Sequence, residues 1–223
     1  MDTVTLSKQN RLFWLGRYAE RAHTTIQYMM KQFDLSIDGQ PYDYHRFCRQ
    51  MGIPCVYESE EDFCRRYLFD GDSIYSVRSS VEAMLDNGVT LRETITSPTL
   101  AYLQMAHSAM DLAARSEAPA VELQWVLDDI MAFWGSFDDA VPDEHTRNLT
   151  KVGAAVERVS LMLRLDWKGE RLSQELEKLL NRLYKTGLPP QPEPLEVLNR
   201  RVLRGEEIDR VTLLNSVEGL FRV

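Results

Sequence analysis

Long apolar runs are missing from this 223-residue chain. No stretch approaches the roughly 20 apolar residues that a membrane-spanning helix needs, so no membrane association is expected. A basic excess is missing too. Lys and Arg number 26 against 34 Asp and Glu, giving a formal net charge of -8. An acidic chain of this kind lacks the electrostatic footprint for wrapping nucleic acid, and no nucleic-acid partner is expected. Cysteine is scarce: Cys48, Cys55 and Cys64. An odd count argues against a disulfide framework, and the spacings Cys-x6-Cys and Cys-x8-Cys match no zinc knuckle. The thiols read as reduced, partly buried small apolar groups. The four histidines, His23, His45, His107 and His145, form no His-x-x-x-His pair. No Gly-x-Gly-x-x-Gly or Gly-Lys-Ser/Thr loop is present for nucleotide phosphates. No metal and no cofactor is therefore expected. The opening Met1-Asp-Thr-Val-Thr-Leu lacks a basic region and an apolar run, which reads as a cytoplasmic protein without a signal peptide.

Strand alternation is also scarce, and what fills the chain is helical periodicity. Ser7 is positioned to cap a long first helix reaching about residue 35. Asp38-Gly39-Gln40-Pro41 reads as a turn. A short helix is expected over 42–51, and residues 54–72 read as irregular with a helical stretch over 59–67. Ser73 should then cap a long helix whose apolar positions Ile74, Val77, Val81, Met84, Leu91 and Ile95 form one buried stripe, with Gly88 filling a gap. Ser97-Pro98, Pro119 and Pro142-Asp143 mark three further starts. Gly169 separates a helix ending near 167 from one over 170–185. The run Gly187-Leu-Pro-Pro-Gln-Pro-Glu-Pro194 reads as an extended linker before a short helix over 195–204. The expected fold is all-α: one domain over 1–223, a mostly antiparallel bundle of about six to eight helices. Its first half covers 1–115 and its second 116–186, with 187–223 as a Pro-rich linker and C-terminal extension. Trp14, Trp125, Phe133, Trp134 and Phe137 read as core.

The two halves share a pattern. Segments 12–26 and 149–163 each place a Gly (Gly16, Gly153) four residues before a Glu-Arg pair (Glu20-Arg21, Glu157-Arg158). Apolar residues match at the same offsets: Leu12 and Leu149, Leu15 and Val152, Ala19 and Val156, Ala22 and Val159, Ile26 and Leu163. On a helix these offsets lie along one face. A Gly inside a helix costs roughly 1 kcal/mol relative to Ala, and close approach of a second backbone is the usual offset. The expectation is that the two Gly-bearing helices cross, and that each Glu accepts a bidentate Arg from the other copy.

The same residues carry a family resemblance. The segment Leu12-Phe-Trp-Leu-Gly16-Arg17-Tyr-Ala-Glu20-Arg21-Ala22 resembles the opening of the bacterial alpha-E domain family. Ser73-Ile74 with Leu91-Arg92-Glu93-Thr94-Ile95-Thr96 resembles its central helix, and 150–163 its second Glu-Arg segment. Two departures stand out. Leu85-Asp86-Asn87-Gly88-Val89 replaces the family's Arg-Glu-Asn-Ala-Arg run, and Ala154-Ala155 follow Gly153 where the family repeats Arg-Tyr. The resemblance implies a setting of peptide synthesis or modification with an ATP-grasp-type peptide ligase and a transglutaminase-like partner, in which this chain reads as a helical accessory or scaffold subunit. The alternative is an enzyme or binding module that uses a central network of Arg17, Glu20, Arg21, Arg92, Glu93, Glu157 and Arg158 to hold an amino acid or peptide. A site carrying both signs of charge suits such a ligand, and the same residues serve equally well as neutralised pairs holding the bundle in register. A homo-oligomer stays open at this point.

Overall fold

The computed structural model describes residues 5–37, 39–40, 42–167 and 169–221. Asp38 and Pro41 of the expected turn, and the first four residues, lie outside the described residues. Among the described residues there are eleven helices and no strand. They are α1 (Leu6–Ile37), α2 (Tyr44–Met51), α3 (Glu60–Phe69), α4 (Val77–Thr90), α5 (Arg92–Ile95), α6 (Ser97–Ala113), α7 (Pro119–Ala140), α8 (Glu144–Arg164), α9 (Glu170–Leu183), α10 (Pro192–Leu203) and α11 (Arg210–Glu218). The all-helical class is as expected. The count exceeds six to eight because short helices punctuate the connections.

Side-chain capping marks five of the helix starts. Asp43, Ser59, Ser76, Asp143 and Asp209 each accept a hydrogen bond from the backbone N–H three residues on. This satisfies one of the orphan donors of a helix start. The first helix begins earlier than Ser7 predicts: the amide of Gln9 donates to the carbonyl of Thr5, so Ser7 already lies inside α1.

The stripe expected from Ile74 to Ile95 is corrected at its start, while Leu91 and Ile95 are buried as expected but lie beyond the end of the helix. Ser76, not Ser73, caps α4, because Ser73 is spent on a preceding turn in which its carbonyl accepts from the Ser76 amide and the Ser79 hydroxyl. Ile74 is consequently exposed, while Val77, Val81 and Met84 are buried. The helix stops at Leu91, and Ile95 is carried into the core by the separate short helix α5, which ends at Thr96 with a φ of 72°. Gly88 has a packing role: a Cβ there would run into the side chain of Leu103 from α6 and lie 3.3 Å from Leu100 Cδ1.

Burial divides into two clusters. One joins the stripe of α1 (Leu12, Leu15, Ala19, Ala22, Ile26) to α3, α4, α6 and α7. The other joins Phe13 and the α8 stripe (Val152, Val156, Val159, Leu163) to Leu176, Leu179, Leu180 and Leu183 of α9. Leu198, Leu213, Val217 and Leu220 complete this second cluster, so the segment after the prolines packs back on its own bundle. The amide of Gln191 donates to the carbonyl of Leu220 and holds the two ends of that segment together. The extended run is shorter than expected, since Pro192 and Pro194 are accommodated in the first turn of α10. No helix among the described residues is long and apolar enough to cross a membrane.

Candidate functional site: the crossing of two Glu-Arg helices

The centre of the molecule is the crossing of α1 and α8. Gly16 and Gly153 are the residues that let it form. A Cβ on Gly16 would overlap the carbonyl oxygen of Thr150 and stand 2.9 Å from its carbonyl carbon. A Cβ on Gly153 would overlap the carbonyl oxygen of Phe13 and stand 2.9 Å from that carbonyl carbon. Backbone therefore meets backbone at both points, and each helix uses its own glycine against the other. The propensity cost of two helical glycines is offset by this approach.

One turn beyond each glycine the Glu-Arg pairs exchange partners. Arg21 donates from Nε to Glu157 Oε1 at 2.6 Å and from Nη2 to Oε2 at 3.1 Å. Arg158 donates from Nε to Glu20 Oε1 at 2.8 Å and from Nη2 to Oε2 at 2.6 Å. Both are fork-on-fork pairs, the strong geometry for guanidinium and carboxylate. Both carboxylates are only 3% exposed. Burial pushes the pKa of Glu157 up, but the charges and hydrogen bonds of Arg21 and Arg17 outweigh it and hold the carboxyl below its ordinary range. Burial likewise lowers Arg158, and the hydrogen bonds and charges of Glu20 and Glu175 reverse the sign, so its net pKa is raised.

The pseudo-symmetry breaks at one residue. Arg17, the residue after Gly16, donates a third bond to Glu157 at 2.7 Å and lies over the Trp14 ring at 4.8 Å. Its counterpart after Gly153 is Ala154. Glu20 takes its extra hydrogen bond from Thr24 instead, at 2.9 Å. Arg158 reaches a second carboxylate, Glu175 Oε2, at 3.2 Å, and Lys178 closes that group at 2.8 Å from Glu175 Oε1. One half thus sets two guanidiniums on one carboxylate, and the other sets one guanidinium on two carboxylates.

A cleft of about 300 Å³ opens beside Arg17, Arg21 and Glu157, and a second ion pair, Arg164 with Glu218 at 2.7 Å, lines it too. A separate cleft of about 220 Å³ lies beside Arg158 and Glu175.

Five of the seven residues read from the sequence meet here: Arg17, Glu20, Arg21, Glu157 and Arg158. The placement of Arg92 and Glu93 is a correction. They stand on α5, exposed, paired with each other at 3.1 Å. The end of α4 at Leu91 turns them onto the surface, away from the network. Glu175, Lys178 and Thr24 were missed. Thr24 lies one turn after Glu20, the i, i+4 spacing that signals such a bond; Glu175 carried no signal without knowledge of how α9 packs.

Glu20 and His23 stand as Glu-x-x-His, the spacing of a di-iron bundle ligand pair. With Glu20 committed to Arg158, no group of three or more His, Cys, Asp or Glu able to hold a metal occurs among the described residues. Trp125 is corrected as well. It lies eight residues before Phe133, or 2.2 turns, which rotates it about 80° off the buried face. It is half-exposed, while Phe133 and Phe137 are buried. Trp14 and Trp134 are partly buried against the core. Cys55, expected to be partly buried, is exposed, with His45 Nδ1 at 3.1 Å from its Sγ.

Fold and site together define an all-helical domain closed by two interlocked Glu-Arg helices. The chain belongs to the Alpha-E family, described as a predicted alpha-helical domain with a conserved ER motif, which matches residues 8–182. No curated protein and no solved structure matches the chain.

Proposed function

We propose that this protein is an accessory or scaffold subunit that works with an ATP-grasp-type peptide ligase and a transglutaminase-like partner in peptide synthesis or modification. The observation that carries the reading is an apolar groove between α6 and α7 of about 510 Å³. Met105, Leu112 and Trp125 line it and are each about half-exposed, with Val121 alike on the neighbouring turn. Contiguous apolar surface of this kind marks protein contact sites. Asp128 and Asp129 stand at its edge. Burial and the neighbouring Asp128 charge raise the pKa of Asp129. The matching partner surface is apolar with a basic rim, which would relieve that repulsion. The central carboxylates support the same reading. Glu20 and Glu157 are both taken up by arginines, and neither stands open as an acid or base.

Co-expression of the tagged protein with the ligase and the transglutaminase-like protein of the same genome tests this. The wild type should retain at least one of them through purification, and Trp125→Glu should release it. A wild type that retains neither, or a Trp125→Glu variant that retains as much, removes the reading. The second reading, an amino-acid or peptide binding module, draws on the cleft beside Arg17, Arg21 and Glu157. Its walls carry both signs of charge together with Tyr67 and Ser160.

A further inference from the structure

The cleft beside Arg158 is bounded by one face from each of three helices. From α7 come Trp134 and Asp138, one turn apart. From α8 come Lys151, Ala154 and Arg158, and from α9 Glu175, Lys178 and Arg182. All three sets follow the i, i+3/i+4, i+7 spacing that keeps residues on one side of a helix. The floor is open because Ala154 and Ala155 carry no long side chain, at the very place where the first half carries Arg17.

The charges in this cleft do not balance. Asp138 is taken by Lys151, and Glu175 by Arg158 and Lys178. The Arg182 guanidinium makes no hydrogen bond or ion pair with any described residue, although its backbone carbonyl accepts from the Lys185 amide. Burial lowers its pKa, and the neighbouring Arg158 charge lowers it further; Asp138 and Glu175 oppose this without overcoming it. Even with Glu20 behind Arg158 counted, four cations face three carboxylates. A partly desolvated cation beside a second guanidinium and without a partner is costly, and an anion offsets that cost. We infer that this cleft binds a phosphate group, with Arg182 as its main ligand and Lys151 and Lys178 as flanking charges.

The chemistry favours phosphate over carboxylate. Cations arrive from two helices, two of them compact ammonium points and one a planar fork, which suits a tetrahedral anion approached from several sides. A phosphate carries about -1.5 to -2 at neutral pH and neutralises more of the surplus than a carboxylate does. The volume, about 220 Å³, holds a phosphate with a small substituent, and Trp134 offers a flat wall for it. This site is separate from the α6–α7 groove, so it stands or falls independently of the proposed partner.

The test is a phosphorus NMR titration at fixed ionic strength with inorganic phosphate and with phosphoserine, beside an acetate arm followed by amide shifts. Saturable millimolar binding of either phosphate source is expected; tighter binding of phosphoserine identifies a phosphomonoester as the ligand, and equal binding identifies the free ion. Arg182→Gln should weaken binding at least about tenfold, the loss expected for one charge-assisted contact, and Arg182→Lys should recover part of it. Arg182→Gln should melt no lower than wild type in phosphate-free buffer, since it removes a cation without a partner. Binding unchanged in Arg182→Gln, no saturation in the millimolar range, or acetate binding as well as phosphate overturns the inference.

Discussion

Replacing Gly153 with alanine isolates what the helix crossing contributes. On helix propensity alone the change should stabilise by up to about 1 kcal/mol. Gly153 sits mid-helix in α8, so alanine meets no conformational strain. The new methyl, however, would overlap the Phe13 carbonyl oxygen and lie 3.2 Å from Phe13 Cα. Both obstacles are main chain, and no rotamer change clears them. The helices must separate, and the separation loosens the stripes of Leu12, Leu15, Val152 and Val156 that pack around the point of contact. Overpacking of a core costs typically about 1–3 kcal/mol, and backbone against backbone belongs at the upper end. The expected net loss is about 2 kcal/mol. Gly135 in α7 supplies the control, since it is helical and exposed with nothing within 4 Å of an added Cβ. Gly135→Ala should gain about 0.5–1 kcal/mol. Thermal unfolding followed by circular dichroism measures both, and at this chain length each kcal/mol moves the midpoint temperature by about 2–4 °C. A Gly153→Ala protein as stable as Gly135→Ala would refute the reasoning.

Acid should act through the same crossing. The carboxyl of Glu157 is held below its ordinary value of 4.5, so its ionised pairing stabilises the fold above that pH and is lost as pH falls through the lower folded-state value. Glu157→Gln should cost about 3 kcal/mol at neutral pH and flatten the loss of stability below about pH 4.5; an unchanged acid slope would contradict the assignment. His23 acts with the same sign in a higher window. Burial holds its pKa below 6.5, with Glu20 opposing and Arg158 assisting, so the folded state resists protonation and stability should begin to fall as pH drops below 6.5. Replacing His23 with Gln should remove that first part of the decline, as read from urea midpoints across the range. Among the thiols, Cys55 is exposed beside His45, whereas burial pushes Cys64 up to about 11 and burial with Cys55 pushes Cys48 up to about 12. Iodoacetamide followed by peptide mass mapping should label Cys55 first, and earlier labelling of Cys48 or Cys64 would overturn that order.

Much of the crossing was legible because it is written twice. A glycine, an apolar stripe and a Glu-Arg pair in the same register point to one contact seen from two sides, and the exchange of arginines follows from where the glutamates lie relative to the glycines. What stayed hidden depended on non-local packing or on competition between near-equal local signals. Ser73 and Ser76 are both good caps three residues apart, and only the turn around Ser73 decides between them. Arg92 and Glu93 look central while α4 is read as continuing to Ile95, and the break at Leu91 carries no glycine or proline to announce it. Trp125 matches Phe133 and Phe137 at a coarse helical spacing, yet the 80° phase error puts it on the surface, where it lines the α6–α7 groove. The unpartnered Arg182 is an ordinary charge in sequence and acquires meaning only when Arg158 and Lys151 of α8 are brought to the same cleft.

The reciprocal pairing of the two motifs is tested most directly by a double-mutant cycle on Arg21 and Glu157, measured by urea unfolding of Arg21→Gln, Glu157→Gln and the combination. The account predicts a coupling energy of about 1–3 kcal/mol across the 136 residues that separate them, beside a coupling near zero for the exposed pair Arg92 and Glu93. Single effects that add to within about 0.5 kcal/mol would mean that the two helices do not hold each other through this pair.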